Sequence, residues 1–361
     1  MHPKRGVSTV IVTLIMIALA MVAIGIVWGV VSNILKSGEE DVSTGLGQIF
    51  LNLKIEKANI ESNGDIKVTV KRGEGGGEIA GINFVVSDGT NSQILREDTT
   101  LQELGTQTFT ISQSKLTGVA FVKEVSIAPI TKSGTKERIG DVVDKKEFTT
   151  KQILQGLDAI SWWGFESDAK DIIGETQGEI KGDTDCNVEG KKGKGCEFFG
   201  DGNGVEDYIE FSSPTQYDIP WTACSWVYLK ENLDTRAHIF LDDSDLTVNH
   251  YSLRFSMHNN KQAGFTSYIV ADYYFNYEFP VNEWKFACYL GDSAGTHLYV
   301  DGQLIESNPN IIKLPLKYVG HSPLRSSPGD ASSHAFIGII DELTIFNKAL
   351  TMEEINSLYK L

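Results

Sequence analysis

The sequence predicts a mainly β protein in three parts: a long leading hydrophobic α-helix, a β-sandwich of about 100 residues, and a second, larger β-sandwich. Three observations carry that reading. No charged residue stands between Arg5 and Lys36, and the run between them is dominated by Val, Ile, Leu, Met and Ala. Beyond Gly38 short runs of alternating apolar and polar residues take over, with Asn63-Gly64 between the first two. From residue 157 onward a different set of strand-like phrases follows, with Asp301-Gly302 between HLYV and QLIE. Asn-Gly and Asp-Gly between alternating runs are strong hairpin signals, because the favoured two-residue turns need positive φ.

Residues 7–37 read as one helix. At about 1.5 Å per residue it would extend roughly 45 Å, against about 30 Å of bilayer hydrocarbon. An ordinary export signal has an apolar core of about 7 to 15 residues and a small-residue cleavage site; this run is longer and reaches GEED without one. Lys4 and Arg5 before it, with Glu39, Glu40 and Asp41 after it, orient the start toward the cytoplasm and place everything beyond Lys36 outside. A segment apolar on every side needs lipid or other apolar helices around it, so the membrane is an expected partner. Gly25 and Gly29 have the small-xxx-small spacing that lets such helices approach closely.

Residues 48–150 hold LNLKIEKANIESNGDIKVTVKRG, GINFVVSDGTNSQILRE, TQTFTISQ and VKEVSIAPITKSGTKERIGDVV, each bounded by Gly, Ser, Asn or Asp. The runs lack helical periodicity and predict an antiparallel sandwich. TTKQILQGLDAI, residues 149–160, has no strong turn signal and reads as a linker. Residues 157–361 predict the larger sandwich, with helix only in the last dozen residues, where Thr351 and Glu354 form a capping box before Ile355 and Leu358.

Composition narrows the function classes. A chain of 361 residues suits two or three domains. A formal net charge of -16 argues against nucleic acid, whose phosphates need clustered Lys and Arg. Four cysteines, Cys186, Cys196, Cys224 and Cys288, lie in the second half without the CxxC spacing of a zinc site. Cys186 and Cys196 bracket a polar glycine-rich loop that a disulfide would close. Cys224 and Cys288 lie in TACSWVYL and WKFACYL, where they either bond across neighbouring strands or remain as buried thiols.

The start of the chain resembles a known family. Lys4-Arg5-Gly6 followed by Val7-Ser8-Thr9-Val10 and a long apolar helix is similar to the class III signal and helix of archaeal type IV pilins. That resemblance implies cleavage between Gly6 and Val7 by a prepilin peptidase, leaving residues 1–6 as the signal, and association with identical or related pilin subunits through the helix. GEIAGINFVVSDG and VSIAPITKSG resemble the pilin head, which implies an immunoglobulin-like sandwich. No glutamate stands between Val7 and Lys36, a departure from the bacterial pilins. The C-terminal part resembles the laminin G-like, concanavalin A-like jelly roll of extracellular lectins. The matching phrases are Trp163, Phe165 and Glu166; Ser225-Trp226-Val227; Trp284; Leu298 to Gly302; and Gly338 to Leu343 leading to Ala349-Leu350-Thr351.

Three groups of residues in this part are candidates for binding. Glu166 and Asp341, from its first and last strands, would supply two oxygens to a structural calcium, a cation that takes six to eight. Tyr273, Tyr274 and Tyr277, in SYIVADYYFNYEFP, would stack on sugar rings, although Tyr273 and Tyr277 share one strand face and Tyr274 takes the other. Arg325 and Asp330, in HSPLRSSPGDASSH with His321 and His334, would hydrogen-bond a glycan.

Enzymatic motifs are missing. The sequence has no H-E-x-x-H, no phosphate-binding glycine loop and no E-x-D-x-x-E strand pattern, so a non-enzyme is expected. Two readings follow. One is a pilus-like filament subunit at the cell surface that displays a lectin-like adhesion domain for glycans or surface proteins, membrane-inserted before assembly. The other is an extracellular lectin-like protein anchored singly by its helix.

Overall fold

The computed structural model describes residues 52–61, 63–119, 121–200, 205–212, 216–233, 236–243, 250–258, 260–267, 270–321 and 334–361. These residues are mainly β. The first block contains β1 (Leu53–Ile60), β2 (Ile66–Arg72), β3 (Glu78–Ser87), β4 (Ser92–Asp98), β5 (Thr106–Ile111), β6 (Glu124–Ser133), β7 (Lys136–Ile139) and β8 (Asp144–Glu147). One sheet has the order β1-β2-β5 and the other β4-β3-β6-β7, with β8 also on β6. The Asn63-Gly64 signal is the β1–β2 hairpin, with Ile60 opposite Ile66 and Gly64 at φ 79°. Alternation fills the space between the sheets with Val68, Val70, Ile82, Phe84, Phe109 and Ile127, all buried.

The second block is a larger sandwich. Its strands are β9 (Ala159–Trp163), β10 (Gly178–Lys181), β11 (Asp185–Glu189), β12 (Lys194–Phe199), β13 (Tyr208–Phe211), β14 (Gln216–Tyr217), β15 (Trp221–Leu229), β16 (His238–Asp242) and β17 (Tyr251–Ser256). They continue with β18 (Gln262–Ser267), β19 (Ala271–Glu278), β20 (Trp284–Asp292), β21 (Gly295–Val300), β22 (Gln303–Asn308), β23 (Leu314–Pro315), β24 (Tyr318–Val319) and β25 (Ile337–Phe346). Seven strands run β10-β13-β24-β16-β17-β18-β19; eight form β11-β12-β25-β15-β20-β21-β22 with β9 beside β25. Trp163, Trp221, Phe240, Phe255, Phe265, Phe275 and Tyr289 fill the interior between them. Asp301 and Gly302, both at positive φ, make the β21–β22 turn.

Two short helices tie the blocks together. Thr149 and Gln152 form a capping box at the head of the helix Thr150–Gly156, so the stretch read as a linker from sequence is a helix with Ile153 and Leu154 buried. The C-terminal helix Met352–Lys360 begins with the expected Thr351–Glu354 capping box and buries Ile355 and Leu358. Ile153, Leu154, Leu157, Ile355 and Leu358 belong to one apolar cluster with Trp226, Phe286, Leu290 and Phe346 from the outer face of the eight-stranded sheet, and with the core of the first sandwich.

The expected fold class is corrected in one respect. The two α-helices of the described residues have seven and nine residues, and none of these helices is long and apolar enough to cross a membrane. Here helix is confined to the two capping boxes, whose apolar stripes are used up against the sheets. The long helix expected over 7–37 and the Gly6-Val7 junction lie outside the described residues, and the fold of the described residues is mainly β with no such helix among them.

Candidate functional site

The outer face of the seven-stranded sheet is polar from edge to edge. Strand register explains why: Ile209, Phe211, Val319, Leu253 and Phe265 point into the sandwich, so the residues between them point out. The pairs Glu179–Glu210, Glu210–Tyr318, Tyr318–Asp242, Asp242–Ser252, Ser252–Thr266 and Thr266–Asp272 follow one another across all seven strands. They form a single row on the side away from the interior, exposed at Glu179 and Asp272, part-exposed at Glu210 and Tyr318, and buried at Asp242, Ser252 and Thr266. A parallel row places Ile239, Arg254, Gly264 and Tyr274 side by side. Gly264 is a close approach: a Cβ there would come within 2.3 Å of the Tyr273 carbonyl oxygen and 2.8 Å of Met257 Cγ.

Two tyrosines sit at one end of the row. Tyr208 and Tyr318 meet edge to face with ring centroids 5.6 Å apart, and His321 lies 6.5 Å from Tyr208. Burial pushes both phenols above their ordinary value, and the Glu210 carboxylate adds to it; Asp242 also acts on Tyr318. Lys317 Nζ lies 5.8 Å from the Tyr318 ring, donates to Phe211 O at 2.9 Å and pairs with Glu210 at 3.0 Å. Lys181 pairs with Glu179 at 2.5 Å.

The middle of the face is buried yet hydrogen-bonded. Arg254, only 3% exposed, donates from Nε to Ser252 Oγ at 3.1 Å. Ser256 Oγ donates to Asn232 Oδ1 at 2.8 Å, and Thr266 Oγ1 to Asp272 Oδ1 at 2.6 Å. His238 accepts the Ile337 N–H at Nδ1, and burial drives its pKa down to about 3, so the ring is neutral. An arrangement of fixed hydroxyls, carboxylates and phenol rings on a rigid sheet can hydrogen-bond a polyhydroxylated ligand and stack against its apolar faces.

Of the residues singled out from sequence, Tyr274 alone joins this face, 41% exposed. Tyr273 turns inward and stacks on Phe265 at 4.9 Å; Tyr277 also packs on the interior, edge to face with Phe279 at 4.9 Å. Arg325 and Asp330 lie outside the described residues, whereas His321 is buried with Nδ1 3.2 Å from His334 O. Sequence reading missed Tyr208, Glu210, Asp242, Ser252, Arg254 and Tyr318. A signal for part of them stands in YSLRFS, where Ser, Arg and Ser alternate with Leu and Phe inside one strand.

Glu166 and Asp341 meet on a common loop. Asp341 Oδ2 accepts the Lys192 N–H at 2.9 Å and Glu166 Oε2 the Lys194 N–H at 3.1 Å. Both donors belong to the turn between β11 and β12, where a Cβ at Gly193 would collide with the Glu166 carboxylate and one at Gly190 would approach Asp341 Oδ2 to 2.7 Å. Asp341 Oδ1 is buried without a hydrogen-bond partner, and burial raises the carboxyl pKa to about 7. Neighbouring Glu342 is raised too, chiefly by burial, while it accepts from Trp162 Nε1 at 2.8 Å. All the side-chain donors are hard oxygens, the chemistry calcium takes, and Asp341 Oδ1 is the orphaned buried oxygen such an ion would satisfy. Among the described residues no three His, Cys, Asp or Glu side chains converge as a metal-binding group.

Both cysteine pairs are disulfides. Cys186–Cys196 closes the β11–β12 hairpin that carries this loop, and Cys224–Cys288 joins directly opposed residues of β15 and β20.

Comparison with known proteins agrees with the C-terminal architecture. Residues 201–356 match the laminin G family described as the concanavalin A-like lectin/glucanases superfamily, so this part of the chain is similar to that family. No curated protein matches the sequence. Similar solved structures include domain 4 of AbnA, an extracellular arabinanase from Geobacillus stearothermophilus in complex with arabinotriose. It is 19% identical at TM-score 0.45, with 56% of this chain and 98% of that one covered. A botulinum neurotoxin serotype D/C binding domain is 14% identical at TM-score 0.43, covering 56% of this chain and 52% of the other, so the chain spans about half its length. A SAP-like pentraxin from Limulus polyphemus is 13% identical at TM-score 0.36, covering 45% and 80%.

Proposed function

We propose that the C-terminal sandwich is a non-enzymatic glycan-binding module that works through the outer face of its seven-stranded sheet. The observation that carries the reading is the row from Glu179 through Glu210, Tyr318, Asp242, Ser252 and Thr266 to Asp272, which reaches solvent at Glu179, Glu210, Tyr318 and Asp272 and is buried at Asp242, Ser252 and Thr266, with Tyr208 and the exposed Tyr274 beside it. Sugars present hydroxyls to such groups and flat C–H faces to such rings. The opposite sheet has no comparable face, since its outer side is packed with Trp226, Phe286 and the C-terminal helix. The lectin-type family match over 201–356 supports the same reading.

The setting we propose is the cell surface or extracellular space, where two disulfides persist and adhesion to glycans is useful. A filament role has no support among the described residues and does not enter this reading. A structural calcium held by Asp341 and Glu166 would fix the β11–β12 loop and so stiffen the domain at a distance from the sugar face. The test of the binding reading is a glycan array with the full chain, with Tyr318→Ala as control. The reading predicts sugar binding that the substitution weakens at least about tenfold, a loss of about 1.4 kcal/mol. Binding to no glycan, or binding indifferent to Tyr318, would refute it and turn attention to a protein ligand.

A further inference from the structure

We infer that this face accepts uncharged glycans and discriminates against acidic ones, a refinement that rests on the glycan-binding reading above. The row across the sheet carries four carboxylates, Glu179, Glu210, Asp242 and Asp272. Among the described residues three cations share the face, and each is already engaged. Lys181 is held by Glu179, and Lys317 by Glu210 and the Phe211 carbonyl. Arg254 is buried, with its Nε committed to Ser252.

Sialic acids, uronates and sulfated sugars are bound by Arg or Lys groups that can turn a full charge on them, the strongest hydrogen bonds a protein offers. Here an acidic sugar would have to displace Glu210 from Lys317 and then sit beside the Glu179 and Glu210 carboxylates, and repulsion from a chain of net charge -16 adds to that cost. A neutral sugar has no such conflict. Its hydroxyls can donate to the Glu179, Glu210 and Asp272 carboxylates that reach solvent in the same row.

The experiment is an array of neutral oligosaccharides beside their sialylated, sulfated and uronate counterparts, probed with the full chain at about 20 mM and about 500 mM salt. The expected result is binding to neutral members at least about tenfold tighter than to their acidic partners at low salt, with the gap narrowing at high salt as repulsion is screened. Glu210→Gln, which releases Lys317 without changing side-chain size, should raise binding to acidic members several-fold relative to neutral ones. Equal or tighter binding of acidic sugars, with the gap insensitive to salt, overturns the inference and leaves the glycan-binding reading standing. Failure to bind any member of either class by a folded chain overturns that reading and the inference with it.

Discussion

The two sheets of the C-terminal sandwich share one interior and differ outside it. On the eight-stranded sheet the outward residues are Cys224, Trp226, Phe286, Cys288, Leu290 and Phe346, and they are buried under the helices Thr150–Gly156 and Met352–Lys360. Trp226 meets Phe286 at 5.3 Å and Tyr359 at 5.6 Å, with Lys191 Nζ 4.5 Å from its ring. On the seven-stranded sheet the outward residues are carboxylates, hydroxyls, a guanidinium and three tyrosines. One face is consumed in docking the domain to the first sandwich; the other is polar, buried at Asp242, Ser252 and Arg254 and reaching solvent at Glu179, Glu210, Tyr318, Asp272 and Tyr274. Strands of the same period thus take opposite roles according to which residue type fills the alternate positions, since sandwich geometry alone fixes no function.

That contrast breaks if substitutions on the docking face alter binding, or substitutions on the polar face alter only stability. The largest effect is expected on the docking face: Trp226→Ala should cost about 3–5 kcal/mol by the removal of a buried aromatic, read by denaturant unfolding. The sugar affinity of the molecules that remain folded should not change. Next comes the disulfide on the same face. Replacing Cys224 and Cys288 by Ala opens a loop of 64 residues and should cost about 4 kcal/mol, against about 3 kcal/mol for the 10-residue Cys186–Cys196 loop. Equal losses would show that chain entropy is not what these bonds contribute.

Asp341 gives a smaller effect whose sign depends on pH. Its folded pKa of about 7 stands above the ordinary carboxylate value of about 3.9, so the folded protein holds this proton more tightly than the unfolded chain. Stability from this group is therefore full below about pH 4, falls as pH rises through the interval to 7, and is lost above it. Asp341→Asn should be more stable than the parent by about 2 kcal/mol at pH 8, the two converging toward pH 4 in thermal unfolding. Calcium would sharpen the test: with millimolar calcium present the ordering at pH 8 should reverse, because the ion needs the carboxylate. The smallest change in stability is expected for Tyr274→Ala on the polar face, whose ring is exposed; it should leave the melting temperature within a few degrees and weaken sugar binding several-fold.

Much of the fold is legible where the signal is local. Asn63-Gly64 and Asp301-Gly302 announce turns because the backbone there must take positive φ, and Thr351 with Glu354 announces a helix because Glu354 stands three positions after Thr351, the spacing of a capping box. Both cysteine pairs join residues in the relation their surroundings suggest. Thr149 with Gln152 carries the same capping signal and passes for a linker because Gln replaces Glu and only Ile153 and Leu154 follow as apolar residues. The leading apolar run supplied a long helix to the expected fold class that the described residues do not contain.

The candidate site is less legible because it is assembled by register. Glu179 and Glu210 are brought beside Tyr318 only when β24 inserts between β13 and β16, a pairing that spans more than a hundred residues and leaves no trace in any short window. The aromatic cluster at 273–277 drew attention by density, yet strand parity sends Tyr273 and Tyr277 into the core and leaves Tyr274 to the face. Glu166 and Asp341, chosen for lying near the first and last strands, do meet on one loop, which the hairpin closed by Cys186–Cys196 brings to them.

The most direct measurement of the central claim is amide hydrogen exchange of the full chain with and without a neutral oligosaccharide chosen from the array. Slowed exchange in Tyr208–Phe211, Tyr251–Ser256 and Tyr318–Val319, with Trp284–Asp292 unchanged, is the predicted result. Protection confined to Trp284–Asp292 and its neighbours in the eight-stranded sheet would contradict it.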